Sequence, residues 1–211
     1  MTGILSLVSF LGGLVLFCAF LQIVQQRVTG GLVLSQIAAL ALVFLAILQG
    51  LNRHDWWLYV LAAIIFVAQF MVFPLVIRSL LRRFNVPLEF KRGLPLLLSL
   101  MIGLLVVFLS VMGGLPLAKQ VWLPGGGALS LAVAVTLLGG GLIILQSQHL
   151  AQMIGFLTFE NGLVLALINA PGLGWGVDIA LIALLVVAAS LILFRVWRFY
   201  ASLDAAAGAM S

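Results

Sequence analysis

Residues 152–169 read QMIGFLTFENGLVLALIN, an apolar run with one carboxylate, Glu160, near its middle. A helix needs about 20 predominantly apolar residues to cross a bilayer, so the run has roughly the length of a membrane span and Glu160 would sit at mid-depth. An ionised acid there is costly, and it must be protonated, paired or facing a polar cavity. At about 100° per residue, Phe156, Leu163, Val164 and Leu167 flank Glu160 on a helix. The opposite face collects Gly155, Thr158, Gly162 and Asn169, a small and weakly polar stripe suited to close approach of a neighbouring helix. The carboxylate therefore points away from that seam. Acids inside membrane helices are as a rule functional, which makes Glu160 the first candidate for a proton or ion pathway. The competing reading neutralises it with a lysine or arginine. Every basic residue of the chain falls near the end of an apolar run, so that partner would have to come from another subunit.

The rest of the chain has the same character. Of 211 residues, 65% are hydrophobic and 7% charged, with a mean hydropathy of +1.35. An ordinary soluble domain is about 25% charged, which excludes that class. A β-barrel would alternate polar and apolar residues in short segments, whereas here apolar runs of span length recur. The expected class is all-α, a polytopic integral membrane protein of about seven transmembrane helices, at roughly 3–25, 31–50, 56–77, 94–116, 126–146, 152–169 and 176–197. The amino terminus, MTGILSLVSF, lacks the basic stretch of a signal peptide and is expected to be a retained span. One face receives Arg27, Arg78, Arg82, Arg83, Lys91, Arg92, Arg195 and Arg198, the other only Arg53 and Lys119. The positive-inside rule puts the first face in the cytoplasm, the amino terminus outside and the carboxy terminus inside.

Between spans, the turn Asn52-Arg53-His54-Asp55 leads into Trp56, Trp57 and Tyr59, aromatic anchors for the outer interface. Gln22, Gln25, Gln26, Ser35 and Gln36 flank the Arg27 turn and are expected to hydrogen-bond at the cytoplasmic surface. Residues 78–92 form a basic cytoplasmic loop that would bind anionic lipid headgroups or dock a cytoplasmic protein. Nothing in this distribution of charge suggests nucleic acid. Cys18 stands alone inside the first span, and His54 and His149 lie at opposite faces, so neither a disulfide, a metal site nor a cofactor is expected. Gly139-Gly140-Gly141 in the fifth span removes side-chain bulk for close packing. Gln69 falls mid-span with Pro74 after it, where a kink would follow from the missing backbone donor. Gln69 either contacts a translocation route or hydrogen-bonds between helices. His149 precedes the Glu160 helix and is of the residue type that passes protons, or is a plain surface histidine. Asp178 opens the last span, where a helix N-terminus also favours an acid.

These residues resemble a known family. The segment QMIGFLTFENG with its Glu160-Asn161-Gly162 triplet, the acid Asp178 and the closing RVWRFYASLD with Trp197, Arg198, Leu203 and Asp204 are similar to hydrogenase-4 component E, a membrane subunit of formate hydrogenlyase-type complexes. The last three spans also look like the K-type subunit of complex I and the C subunit of multisubunit Na⁺/H⁺ antiporters. The resemblance implies three parts: a four-helix membrane region over 1–125, a three-helix K-like region over 126–198 and a short cytoplasmic tail over 199–211. It implies a hetero-oligomer of antiporter-like membrane subunits and a cytoplasmic redox arm, in a bacterial or archaeal plasma membrane. The subunit itself would carry no redox centre and no catalytic site, and would supply one link of a polar chain for protons or sodium through Glu160, Asp178, His149, Asn161 and Gln69. The chain departs from the family around Leu184, where a second acid is expected and ALIALLVV stands instead. That departure keeps open a purely structural assembly subunit; a stand-alone small-solute transporter is a further reading, for which the chain shows no internal repeat.

Overall fold

The computed structural model describes residues 2–84, 95–120, 126–146, 148–169 and 198. Among them every regular element is helical: α1 (Thr2–Val24), α2 (Val28–Arg53), α3 (Trp56–Ile65), a π-helical stretch (Phe66–Val72), α4 (Phe73–Phe84), α5 (Leu96–Gln120), α6 (Gly126–Leu145) and α7 (His149–Asn169). Six of the resulting rods are long and apolar enough to cross a membrane, α3, the π-helical stretch and α4 counting as one. The expected seventh span, 176–197, lies outside the described residues, as does Asp178.

Several helices extend past the polar and small residues at which the sequence predicts breaks. Helix α2 starts at Val28, because Gly30 and Gly31 are absorbed into its first turns, and Gly31 packs under Ile154 of α7. The third crossing does not stop at Ile77. It runs on to Phe84, and Arg78 and Arg82 are exposed on its last turns, so the basic segment begins as helix rather than loop. Helix α5 likewise continues through Pro116 to Gln120.

At the α2–α3 corner, His54 takes a left-handed conformation (φ 53°) and its N–H closes onto the Gly50 carbonyl. Asp55 then caps α3 by accepting from the Trp57 N–H at 3.1 Å, which satisfies one of the helix's free donors. Trp56 and Tyr59 are exposed at this end, as interface anchors should be.

Helix α7 is the centre of the bundle. It lies chiefly along α6 and also against α2 and α1, and 72% of its most apolar window is buried. Only 11% of the corresponding window of α5 is buried, so α5 is peripheral. The α6–α7 contact is close because glycines face backbone. A Cβ on Gly139 would collide with the Phe159 backbone, one on Gly162 with Thr136, and one on Gly155 would come within 2.9 Å of the Ile143 nitrogen. The glycine stripe expected on α7 is thus the seam with α6.

The apolar interior is divided in two. One cluster joins Val15, Leu42, Leu45, Leu61, Val135, Leu165 and Ile168; the other joins Val28, Leu32, Phe73, Ile77, Leu150, Met153 and Leu157. Along α7 the second cluster ends at Leu157 and the first begins at Val164. Along the third crossing the first ends at Ile65 and the second begins at Phe73. The gap between them is polar.

Candidate functional site: a polar layer at mid-depth

The residues that fill the gap are Gln22 of α1, Ser35 and Gln36 of α2, Gln69 of the π-helical stretch, and Thr158, Glu160 and Asn161 of α7. Apart from Gln36 all are buried, Glu160 to 8%, Gln69 to 7% and Asn161 to 1% exposure. The side-chain amide of Gln69 is the polar group set beside the Glu160 carboxyl. No lysine or arginine among the described residues pairs with the acid.

The backbone around Gln69 explains how it reaches Glu160. Pro74 has no N–H to return to the Phe70 carbonyl four residues earlier. The helix widens instead, with the Phe73 N–H bonded to the Ala68 carbonyl five residues back, and Gln36 Nε2 donates to the Phe70 carbonyl at 3.4 Å. One turn of π-helix, an arrangement found most often at functional positions, therefore carries Gln69. The kink expected from Pro74 takes this form.

A glutamine is a suitable partner for an acid that changes protonation. Its amide N–H donates to a carboxylate and its carbonyl accepts from a carboxylic acid, so either state keeps a hydrogen bond. A cation would hold the group permanently ionised. Next to Glu160 in sequence, Asn161 presents Oδ1 with no donor among the described residues. A buried acceptor without a donor costs about 1–3 kcal/mol, a cost that packing alone does not explain.

On the other side of α7, Gln22 Nε2 donates to Ser35 Oγ at 3.1 Å, and Thr158 Oγ1 donates to Gln22 Oε1. Gln22 and Ser35 are therefore interior, not at the cytoplasmic surface as their place near Arg27 suggests. The longer α2 sets Ser35 two turns inside, and a threonine on α7 supplies the third member. The Thr158 hydroxyl accordingly reaches α1, while its backbone lies in the α6 seam against Gly139. A second polar set closes the opposite end of α7: Gln49 Nε2 donates to Asn169 Oδ1 at 3.4 Å and an Arg53 N–H donates to the Asn169 carbonyl at 3.4 Å.

Of the five residues proposed from sequence, the structure brings Glu160, Asn161 and Gln69 into one layer. His149 is the first residue of α7, eleven residues or about 16 Å along the helix from Glu160; its side chain is outside the described ones. Asp178 lies outside the described residues. Comparison with protein-family models, curated proteins and solved structures gives no match.

Proposed function

We propose that the protein is a noncatalytic membrane subunit of an ion-translocating oxidoreductase, of the hydrogenase-4 component E type, in which Glu160 gains and loses a proton or exchanges sodium during turnover. One observation carries this reading: a buried carboxyl group in the middle of a membrane bundle has a neutral amide, Gln69, beside it and no lysine or arginine among the described residues. A charged acid at mid-membrane costs about 3 kcal/mol, which selection retains where the group acts. The layer of Gln69, Glu160 and Asn161 would form one link of a longer path completed by neighbouring antiporter-like subunits, with electrons handled in a cytoplasmic arm. In this proposal the chain has a seventh span over 176–197 carrying Asp178, and the Arg27 end faces the cytoplasm of a bacterial or archaeal cell.

The test is Glu160→Gln in the assembled complex, with ion transport and electron transfer measured separately. Loss of transport per electron with electron transfer retained is the expected result; undiminished coupling would remove the role assigned to Glu160. A structural subunit is the second reading, favoured by the apolar outer face of α5, where Leu97, Met101, Leu104 and Phe108 are more than half exposed. It predicts that deletion disperses the complex while Glu160→Gln is silent.

A further inference from the structure

A proton carrier at mid-membrane needs a way in from one surface. Toward the Arg27 end, the space between α2, the third crossing and α7 is filled by Val28, Leu32, Ile77 and Leu157. Toward the other end, Leu42, Leu45, Leu165 and Ile168 fill it. Close-packed aliphatic side chains give a proton nothing to move along. A file of polar side chains does leave the layer, along α1 and α2. Gln22 and Ser35 are buried, Gln25 is half-buried with its side chain over Gly30, and Gln26 and Arg27 are exposed.

The register of the helices sets Ser35 near Asn161. Helices α2 and α7 lie side by side in the same direction, since Gly31 packs under Ile154 and Gln49 hydrogen-bonds Asn169. Ser35 is four residues beyond Gly31 and Asn161 seven beyond Ile154, so each repeats the contact face of its helix. The difference of three residues offsets them by about 4–5 Å along the bundle. That is more than one hydrogen bond spans and within reach of two that share a water. The next turn of this face of α2 carries Ala38 and Ala39, both buried, whose methyl groups are small and offer Asn161 no donor. Asn161 Oδ1 is buried with no donor among the described residues. Ser35 Oγ accepts from Gln22 Nε2 at 3.1 Å, which leaves the hydroxyl proton and a second lone pair for further partners.

We infer that a water held between Asn161 Oδ1 and the Ser35 hydroxyl hands protons to Glu160 from the Arg27 end, which makes α1 and α2 the entry branch of the pathway. The inference rests on Glu160 as a carrier and commits it to protons. The water gives one proton to the carboxylate and takes one from Ser35, which draws its replacement from water on the Gln25 side. Asn161 and Gln22 hold the two oxygens in place and exchange nothing.

The test measures protons moved per electron by the assembled complex in sodium-free buffer, with Ser35→Ala, Ser35→Thr, Asn161→Leu and Glu160→Gln compared. Ser35→Ala and Asn161→Leu should each lower the ratio roughly tenfold. Ser35→Thr restores the hydroxyl and should recover most of the loss. A merely structural Ser35 would change the yield of assembled complex and leave the ratio alone. Wild-type ratios in Ser35→Ala, beside a loss in Glu160→Gln, would overturn the branch and leave the role of Glu160 standing; a wild-type ratio in Glu160→Gln would remove both. Transport that stops without sodium would also overturn the inference. Should Asn161→Leu fail to assemble, the two Ser35 variants decide. An electron cryomicroscopy map supplies a readout that needs no turnover: water density within about 3.2 Å of both Asn161 Oδ1 and Ser35 Oγ is expected, and dry packing at that point would overturn the inference.

Discussion

Glu160 and Gln69 are on different helices and far apart in sequence, yet each is the other's means of staying buried. Gln69→Leu leaves the buried acid without a polar neighbour from the third crossing, a cost of about 1–3 kcal/mol. Ion transport by the assembled complex is expected to fall roughly tenfold or more, with electron transfer less affected; vesicle transport assays of the variant check this. The sequence made both residues candidates, since each is a polar group inside an apolar run. It could not pair them, because which face of the third crossing meets α7 depends on the π-helical turn. The interior position of Gln22 was hidden for a related reason: a glutamine two residues before a helix end looks solvated until the partner helices are placed. Gln22→Leu removes its links to Ser35 and Thr158 and should destabilise the bundle by about 1 kcal/mol, the usual size for interhelical hydrogen bonds in membranes. Reversible unfolding in mixed detergent micelles would measure it.

At the scale of elements, the π-helical stretch and the α6–α7 seam carry the argument. Pro74→Ala restores the donor that the Phe70 carbonyl lacks in an α-helix, and the segment should close to regular helix, turning its two halves relative to each other by about 100°. Gln69 would then no longer meet Glu160, and coupling should fall as far as in Gln69→Leu although no polar side chain has been removed. Wild-type coupling in Pro74→Ala would show that the bulge is incidental. The seam makes a sharper contrast between adjacent residues. Gly139→Ala forces a methyl group into the Phe159 backbone and should cost about 1–3 kcal/mol, whereas the same change at Gly140, whose Cβ would sit 3.8 Å from the Phe159 ring, should be neutral or gain up to about 1 kcal/mol in helix propensity. Unfolding transitions of the two variants decide it. The triple glycine was legible in the sequence as a packing feature, and so was the stripe of Gly155 and Gly162; that Gly139, and not Gly141, faces α7 was not, because three consecutive residues point in three directions.

For the whole molecule, hydropathy made the class plain, and among the described residues the structure bears out helical elements alone, with six rods of membrane-crossing length. What hydropathy averages away is the division of the core: two apolar clusters separated by a polar layer contributed by four rods. The orientation proposed from the Lys and Arg distribution predicts that, on a Cys18→Ser background, Asn52→Cys reacts with an impermeant maleimide applied to intact cells and Gln26→Cys does not; both positions are exposed. The reverse pattern would invert the topology and with it the direction of the polar layer. The central claim is that the Glu160 carboxyl changes protonation as the complex works. Infrared difference spectroscopy of the complex, oxidised against reduced, measures this directly: the account predicts a carboxylic-acid carbonyl band that appears in one state and is missing from the Glu160→Gln difference spectrum, and identical spectra for wild type and variant would contradict it.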